Sequence, residues 1–459
     1  MIKKYYKVHF VGIGGIGMSG IAEVLLNLGY TVSGSDIKDS DIIQKLSSLG
    51  AKINIGHNKL NVSDVDVVVT SSAIPSSNPE VVYAKKKNIP VIQRAEILAE
   101  LMRLKYGIAI AGSHGKTTTT SMIALVFSEA GLDPTAVIGG KLNVFNSNAK
   151  LGKGDYLIAE ADESDGSFLH LTPTVAIVTN IDDDHLDFHR NMENLKNVFI
   201  NFINKVPFYG FSVLCIDDPN IRSILSSINK KYITYGLKRR GDVEVRDLSL
   251  GDFNSSFYVK YKNKNVDKFI LNIPGIHNVL NSLAVIGASL ELGISTDKIK
   301  NGLKKFTGVH RRFEKIGEVN GILIIDDYGH HPTEIAATLK SARNLGFKRT
   351  IAVFQPHRYT RTKLLHKKFG KSFKGIDIVV VTDIYPAGEK PLPNVSSKLI
   401  VDSIKNYNKR VIYIKNKEDI PSYLISICKK GDLVIILGAG DIRKVGEDFY
   451  KKLRINDKN

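Results

Sequence analysis

Short apolar segments that end in polar loops, each followed by a helical pattern, recur along this chain of 459 residues. Three groups of such segments follow one another, beginning near Lys7, Tyr106 and Ile322. Strands that alternate with helices form parallel sheets, because the chain must cross back over the sheet between neighbouring strands. The pattern therefore predicts an α/β protein, and at roughly 150 residues per domain the length predicts about three domains.

Composition narrows the class of protein. The chain is 43% hydrophobic and 24% charged, which excludes a disordered or collagen-like protein. Its two cysteines, Cys215 and Cys428, are far apart and lack any CxxC or CxxH spacing, which excludes a disulfide framework and a thiolate zinc site. No run of about 18 apolar residues occurs, so we expect no membrane insertion and a cytoplasmic protein. The net charge of +18 favours anionic partners, but the lysines are scattered without interleaved aromatic residues, so we expect no nucleic acid.

The first group carries a glycine-rich loop between a strand and a helix. The strand Lys7–Val11 precedes the loop, and Asp36 follows the next strand. Glycines at such a turn let backbone amides approach an anionic diphosphate at the positive end of the helix. NAD and a nucleotide sugar both satisfy this pattern. The candidate ligands of the diphosphate compound are Gly12, Gly14, Gly15, Gly17, Asp36, Ser71, Ser72 and Arg94, the last expected at the end of a short strand.

The second group contains a phosphate-binding loop. The sequence GSHGKT at 112–117 follows the strand Tyr106–Ala111 and opens a threonine-rich helix. Backbone amides of such a loop cradle phosphates, while the lysine offsets their charge and the next hydroxyl binds magnesium. The loop has two residues between its glycines where the usual one has four. The predicted phosphate ligands are Gly112, Ser113, His114, Gly115, Lys116, Thr117 and Thr118.

Acidic residues follow two further strands of this group. EADESD at 160–165 and DDDH at 182–185 each come directly after an apolar segment. Carboxylates beside a phosphate loop suit Mg²⁺, a hard ion that prefers oxygen ligands. The two clusters together predict a magnesium site, although not every acid can be a ligand.

The third group repeats the arrangement with basic and aromatic residues. Four of its strands end in polar segments, which contain Asp327, His357, Arg358 and Arg361 among others. Open α/β sheets bind ligands at the carboxyl ends of their strands, so we expect these side chains at one edge. Before this group, His277, Asn278 and Asn281 begin a helix, where they could contact an adenine or simply bond locally.

Taken together, these motifs closely resemble the Mur ligase family over essentially the whole chain. The segments that carry the resemblance are HFVGIGGIGM at 9–18, GSHGKT at 112–117, EADESD at 160–165, DDDHLD at 182–187, GIHN at 275–278, HRRFE at 310–314, DDYGHHP at 326–332 and QPHRYTR at 355–361. The short phosphate loop is also a variant of that family.

The resemblance implies three domains and an activity. Residues 1–105 would form a Rossmann-like domain for UDP-N-acetylmuramate, residues 106–308 a central P-loop ATPase-type domain, and residues 309–459 a Rossmann-like domain that binds the amino acid and closes over the site. The activity would be an ATP-dependent amide ligase of peptidoglycan synthesis. It would join L-alanine to the carboxylate of UDP-N-acetylmuramate through an acyl phosphate, with Mg²⁺.

The resemblance also implies a role for individual residues. Lys116 would contact the ATP phosphates, and Thr117, Glu160 and His185 would bind magnesium. Adenine would face His277, Asn278 and Asn281, the ribose Asp327, and the terminal phosphate Arg312. The incoming alanine and the reacting carboxylate would be positioned by His357, Arg358 and Arg361. Several related ligases carry a carbamylated lysine, but Lys196 does not match that position and no modification is predicted.

Three alternatives compete with this hypothesis. A ligase that attaches a preformed peptide to UDP-N-acetylmuramate shares the first two motifs. An NAD-dependent oxidoreductase explains the first glycine loop and Asp36 but leaves Lys116 and Thr117 without a role. A nucleic-acid-binding module rests on the net charge alone. The sequence leaves the oligomeric state open, with a homodimer as one alternative.

Overall fold

The computed structural model describes residues 6–71, 73–142 and 147–456. Its N-terminal sheet has five parallel strands in the order β3-β2-β1-β4-β5. The strands are β1 (Lys7–Val11), β2 (Thr31–Asp36), β3 (Lys52–Ile55), β4 (Val67–Thr70) and β5 (Val91–Gln93), and the helices are α1 (Ile16–Asn27), α2 (Asp41–Ser48), α3 (Pro79–Lys86) and α4 (Arg94–Arg103). Because β2 and β4 flank β1 on opposite sides, the loops after β1 and β4 diverge at the carboxyl edge, the place where such sheets bind ligands.

The central sheet has ten strands in the order β15-β14-β13-β12-β11-β10-β6-β9-β7-β8. The strands are β6 (Tyr106–Ala111), β7 (Thr135–Leu142), β8 (Ser147–Lys150), β9 (Tyr156–Glu160), β10 (Val175–Val178), β11 (Phe211–Cys215), β12 (Tyr232–Gly236), β13 (Val243–Leu250), β14 (Ser255–Tyr261) and β15 (Lys264–Leu271). Its helices are α5 (Lys116–Glu129), α6 (Leu186–His189), α7 (Met192–Ile203), α8 (Pro219–Ile224), α9 (Ile276–Glu291) and α10 (Thr296–Lys305). Strands β10, β6 and β9 are adjacent and parallel, so the phosphate loop and both acidic segments leave the sheet at one edge.

The C-terminal sheet has six strands in the order β16-β17-β21-β18-β19-β20. The strands are β16 (Glu314–Val319), β17 (Ile322–Asp327), β18 (Arg349–Phe354), β19 (Ile378–Val381), β20 (Val411–Tyr413) and β21 (Asp432–Leu437), and the helices are α11 (Pro332–Arg343), α12 (Tyr359–Ser372), α13 (Lys398–Lys405), α14 (Ile420–Ile427) and α15 (Arg443–Asn456). Only β16 is antiparallel to its neighbour. The four predicted strands therefore end at one edge, as expected.

Burial explains why these apolar segments are strands. Every residue of β10 (VAIV) and of β21 (DLVIIL) is buried, as expected for parallel strands that are covered by helices on both faces. Within the described part of the chain, no helix is both long enough and apolar enough to cross a bilayer.

One predicted strand end is wrong. Arg94 does not close a strand, because β5 ends at Gln93 and Arg94 is the first residue of α4. The Gln93 N–H donates to the Glu96 carboxylate at 2.9 Å, which satisfies a free amide at the helix start. Arg94 therefore lies at the N-terminus of helix α4.

The chain divides into two compact units. The first contains the N-terminal and central sheets, and the second contains the C-terminal sheet. The combination of three sheets confirms the predicted α/β fold class. The domain boundaries at 105/106 and 308/309 stay predictions.

Candidate active site

The phosphate loop requires both of its glycines. Gly112 has φ +130° and Gly115 has φ +81°, values that other residues rarely adopt. A Cβ atom on Gly112 would lie 2.2 Å from Thr179 Oγ1, and one on Gly115 would lie 2.6 Å from Asn281 Oδ1. The loop is therefore packed between the end of β10 and helix α9, which brings Asn281 against the predicted phosphate site.

The residues that follow β10 hold the loop in place. Asn180 Oδ1 accepts the His114 N–H at 2.9 Å, and Thr179 Oγ1 donates to the His114 carbonyl at 2.6 Å. Asp182 lies 2.9 Å from His114 Nε2, and its own N–H donates to Ser113 Oγ at 2.9 Å. Sequence reasoning missed Thr179 and Asn180 as part of this site; their position directly after a buried strand is the only signal that could have indicated them.

Lys116 is held by protein acceptors. Its Nζ donates to both oxygens of Glu163 at 2.9 and 2.8 Å and to the Gly112 carbonyl at 2.5 Å. Burial alone would lower the pKa of Lys116, but the carboxylates of Glu163, Asp162 and Glu160 raise it above its usual value. The lysine is therefore charged, and Glu163 is its carboxylate partner.

Two of the three predicted magnesium ligands lie in contact. Thr117 Oγ1 donates to Glu160 Oε2 at 3.2 Å, and Glu160 Oε1 accepts the Gly139 N–H at 2.6 Å. A hydroxyl and a carboxylate at this separation are oxygen donors that fit Mg²⁺. His185, which has φ +57°, has its Nε2 3.6 Å from an Asp184 carboxylate oxygen, and the structure does not bring it into hydrogen-bond contact with Thr117 or Glu160.

A cavity of about 280 Å³ joins the glycine-rich loop to the phosphate loop. Gly17 and Arg94 line it from the N-terminal sheet, and Lys116 and Glu160 line it from the central sheet. An adjoining cavity of about 240 Å³ is lined by Gly15, Ser71 and Arg94, among others. Two predicted anion sites thus open to a common space in the first unit.

Arg94 is central to this space. Its Nη1 lies 2.1 Å from the position of a Cβ on Gly17, so the guanidinium rests against the first turn of α1. Its Nη2 lies 3.0 Å from Asp162 Oδ2. Burial alone would raise the pKa of Asp162, but the charges of Lys116 and Arg94 lower it to about 2. Arg94 thus lies between the first turn of α1 and the Asp162 carboxylate, and its predicted contact with a diphosphate stays a prediction.

The start of the glycine-rich loop is bonded to β2. The Ser35 carbonyl accepts the Gly12 N–H at 2.8 Å and the Ile13 N–H at 3.0 Å. Asp36 Oδ2 accepts the Gly14 N–H at 2.9 Å. Asp36 therefore stabilises the loop itself, and its predicted contact with the diphosphate compound stays a prediction. Ser72, the other predicted ligand here, lies outside the described residues.

The second unit contains the predicted phosphate arginine. Arg312 Nη1 donates to Glu334 Oε1 at 3.3 Å, and its guanidinium lies 5.2 Å from the centre of the Tyr328 ring. Burial and the charge of Arg312 lower the pKa of His277 to about 4, so this imidazole is neutral near pH 7. The adjacent Asn278, in the first unit, is buried.

Asp327 is a buried acceptor at the end of β17. It accepts the N–H groups of Gly329 at 2.8 Å and Phe313 at 2.9 Å, and the Thr338 hydroxyl at 3.1 Å. Burial raises its pKa to about 6, although Arg312 opposes this. Its predicted contact with a ribose stays a prediction.

The three residues predicted to position the amino acid lie together after β18. His357 stacks on Tyr385 with ring centres 5.7 Å apart and planes at 11°, and its Nδ1 lies 3.2 Å from Arg361 Nη1. Arg358 has φ +68°, and its buried Nε has no hydrogen-bond partner among the described residues. Tyr385 follows another strand that was expected to end at this edge, but its contact with His357 was not predicted, because the two residues are 28 positions apart in the sequence.

Comparisons with known proteins agree over the whole chain. Three family models match: the Mur ligase family catalytic domain at residues 7–106, the Mur ligase middle domain at 110–289, and the Mur ligase glutamate ligase domain at 311–440. The chain is 56% identical to a protein of Trichlorobacter lovleyi named UDP-N-acetylmuramate–L-alanine ligase, over 97% of this chain and 99% of that one. It is 54% identical to a protein of the same name from Geobacter sulfurreducens, over 99% of both.

Solved structures of ligases also superpose on this chain. A UDP-N-acetylmuramate–alanine ligase from Thermotoga maritima superposes with a TM-score of 0.83 at 30% identity, covering 98% of this chain and all of that one. A murein peptide ligase from Psychrobacter arcticus superposes with a TM-score of 0.73 at 25% identity, covering 98% of both chains. Identity above one half along nearly the full length, with three matched domains in order, shows that this chain belongs to the Mur ligase family.

Proposed function

We propose that this protein is an ATP-dependent ligase that joins L-alanine to the carboxylate of UDP-N-acetylmuramate, with release of ADP and phosphate. The curated relatives support the substrates, since proteins named for this reaction are 51–56% identical over almost the whole chain. The product belongs to peptidoglycan precursor synthesis, and we place the reaction in the cytoplasm.

The observation that carries the proposal is the shared cavity of the first unit. It is lined by Gly17 and Arg94 on one side and by Lys116 and Glu160 on the other. A nucleotide sugar whose diphosphate is held by α1 and Arg94 can extend its lactyl carboxylate towards the phosphate loop. An oxidoreductase would need no cationic phosphate loop facing its dinucleotide site.

The first chemical step brings two anions together. The carboxylate attacks the γ-phosphorus of ATP and displaces ADP, which gives an acyl phosphate. Lys116 and the amides of the loop offset the repulsion and stabilise charge on the equatorial oxygens. Because Lys116 is charged and already paired with Glu163, binding of ATP must replace a carboxylate by a phosphate at the same ammonium group.

Thr117 and Glu160 would hold Mg²⁺, with His185 as a further ligand. When bound, the ion would supply positive charge that offsets the charge developing on the phosphates. The contact between Thr117 and Glu160 supports this assignment, because both offer oxygen atoms at 3.2 Å from each other.

In the second step the neutral amine of L-alanine attacks the acyl carbon, and the tetrahedral intermediate expels phosphate to leave the amide. We assign His357, Arg358 and Arg361 to positioning the amino acid and the reacting carboxylate, and Arg312 to the terminal phosphate. His277, Asn278 and Asn281 would face adenine, and Asp327 its ribose. Since a methyl group contributes about 1–3 kcal/mol in a pocket, some use of glycine or serine is expected.

A ligase for a preformed peptide is the second candidate. The superposition with a murein peptide ligase at a TM-score of 0.73 favours keeping it. The higher TM-score of 0.83 with an alanine ligase supports the first candidate.

The test is phosphate release by the purified protein with ATP, Mg²⁺ and UDP-N-acetylmuramate, with and without single amino acids, followed by mass spectrometry of the nucleotide product. We expect release that depends on L-alanine and on Mg²⁺, with a product one alanyl residue heavier. Release only with a peptide would move the assignment to the second candidate, and no release from folded protein would refute both.

A further inference from the structure

A carboxylate buried against strands β1 and β2 of the N-terminal sheet has no part in the chemistry described above. Glu80, the second residue of α3, has an exposed fraction of 0%. Burying an ionised carboxylate is costly unless every oxygen is satisfied, so its surroundings need an explanation.

Both oxygens of Glu80 accept several donors. Oε2 accepts the Ser35 hydroxyl at 2.6 Å and lies 3.3 Å from His57 Nδ1 and 3.6 Å from His9 Nε2. Oε1 accepts Asn61 Nδ2 at 2.6 Å and the Asn58 N–H at 3.2 Å. Burial alone would raise the pKa of Glu80, but the nearby His9 ring and the hydrogen bonds from Ser35 and Asn61 lower it to about 2, so the group stays ionised.

Ser35 connects this cluster to the glycine-rich loop. Its hydroxyl bonds to Glu80, while its carbonyl accepts the Gly12 and Ile13 amides at 2.8 and 3.0 Å. The next residue, Asp36, holds the Gly14 amide at 2.9 Å. Two consecutive residues of β2 thus fix three consecutive amides of the loop that leads into α1, and the side chain of the first is fixed in turn by Glu80.

We propose that Glu80 is a positioning residue for UDP-N-acetylmuramate: through the Ser35 hydroxyl it fixes the end of β2, and thereby aims the first turn of α1 at the diphosphate. This inference rests on the proposed function, which assigns the diphosphate to that loop. Glu80 touches no substrate, so its loss changes how well the sugar nucleotide binds and leaves the chemical step intact.

The test compares Glu80→Gln and Ser35→Ala with the unmodified protein. A glutamine presents an NH₂ group to surrounding donors, and an alanine removes the connecting hydroxyl without altering Glu80. In both variants we expect the calorimetric Kd and the KM for UDP-N-acetylmuramate to rise about tenfold, which corresponds to about 1.4 kcal/mol. The kcat at saturating sugar nucleotide and the KM for ATP should change less than twofold. In the double variant the effects should not add, because both act through one hydrogen bond.

Asn61→Ala is the matched control. It removes a hydrogen bond to the other oxygen of the same carboxylate, and Asn61 does not bond to the glycine-rich loop in the described structure. We expect it to lower the melting temperature while the Kd for UDP-N-acetylmuramate stays within twofold. Hydrogen exchange without ligand gives a second readout. The amides of residues 12–14 should exchange faster in Glu80→Gln and Ser35→Ala than in the unmodified protein, and their exchange rates should be unchanged in Asn61→Ala.

The outcomes separate this inference from the function on which it rests. Failure of the unmodified protein to bind UDP-N-acetylmuramate would count against the proposed function. Normal binding by the unmodified protein and by folded Ser35→Ala and Glu80→Gln would overturn only the role of Glu80. An equal rise in the KM for ATP, or an equal effect of Asn61→Ala, would reduce Glu80 to a general structural residue.

Discussion

At the scale of single residues, substitutions in the ion pair of Lys116 and Glu163 distinguish an effect on catalysis from an effect on stability. Lys116→Ala should lower turnover by about 1,000-fold, because the charge that stabilises the transferring phosphoryl group is lost. It should also destabilise the fold by about 3 kcal/mol, because Glu163 keeps a buried charge without its partner. Phosphate release and denaturant unfolding measure the two effects, and binding of UDP-N-acetylmuramate should persist.

The double variant Lys116→Ala with Glu163→Gln is the control. It removes the unpaired charge, so most of the lost stability should return while turnover stays absent. If turnover returned as well, the defect of Lys116→Ala would be one of folding. Loss of UDP-N-acetylmuramate binding in the folded double variant would overturn the assignment of Lys116 to the ATP phosphates.

Asp327 gives a prediction about pH. Its pKa is raised to about 6 by burial, compared with about 4 in an unfolded chain. The folded state therefore binds this proton more tightly, and the stability that the proton contributes is complete below about pH 4 and lost as the pH rises through 6. Relative to Asp327→Asn, the free energy of unfolding of the unmodified protein should fall by up to about 3 kcal/mol across this range.

Urea unfolding of both proteins at several pH values between about 4 and 7 measures this difference, and other titrating groups cancel in the comparison. A difference that does not vary with pH would show that Asp327 has an ordinary pKa in the folded state.

At the scale of elements, the two ends of α5 offer a matched pair of glycines. Gly115 precedes the helix with φ +81° and Gly131 follows it with φ +79°, so alanine is strained by a similar amount at both. At Gly115 the new Cβ would also lie 2.6 Å from Asn281 Oδ1, whereas at Gly131 it would meet no atom within 4 Å. Gly115→Ala should therefore raise the KM for ATP at least about tenfold through displacement of the loop.

Gly131→Ala should cost about 1 kcal/mol of stability and leave the KM for ATP unchanged. Steady-state kinetics with ATP as the varied substrate, together with thermal melting, test both variants. Equal kinetics in the two would mean that the loop adapts to a side chain, and that its geometry does not depend on Gly115.

The elements that sequence predicted best are those with local signals. The strands at Lys7–Val11 and Tyr106–Ala111 agree in both bounds, because each is a short β-prone segment that ends where a glycine begins. Strand β17 begins at Ile322 as predicted and includes Asp326 and Asp327, because the buried Asp326 pairs with Arg311 at 3.2 Å and Arg443 at 2.8 Å. No local pattern indicates that such acids continue a strand.

In the candidate site, too, only the features with a local sequence signal could be predicted. Each loop of the site directly follows an apolar strand, so the sequence predicted Lys116, Thr117 and Glu160 at one edge of a sheet. Three sets of contacts join residues that are far apart in the sequence. They are the ion pair of Glu163 with Lys116, the hydrogen bonds of Thr179 and Asn180 to His114, and the stacking of Tyr385 on His357. Sequence could give the chemistry of these residues but not their partners.

At the scale of the whole molecule, the residues proposed for one reaction are distributed over both compact units. The phosphate loop belongs to the first unit, and Arg312, His357 and Arg361 belong to the second. An acyl phosphate is also attacked by water, so productive transfer to the amine needs a site that excludes solvent. The two requirements together predict that substrates draw the units into a closed state.

Small-angle X-ray scattering tests this directly. We expect the radius of gyration to fall when a nonhydrolysable ATP analogue, Mg²⁺ and UDP-N-acetylmuramate are all present, and to change less with either nucleotide alone, since closure needs ligands that both units contact. A concentration series separates compaction from association, because a homodimer would raise the forward scattering. An unchanged radius at saturating ligands would mean that solvent is excluded by local loop movement, with the two units keeping one arrangement throughout turnover.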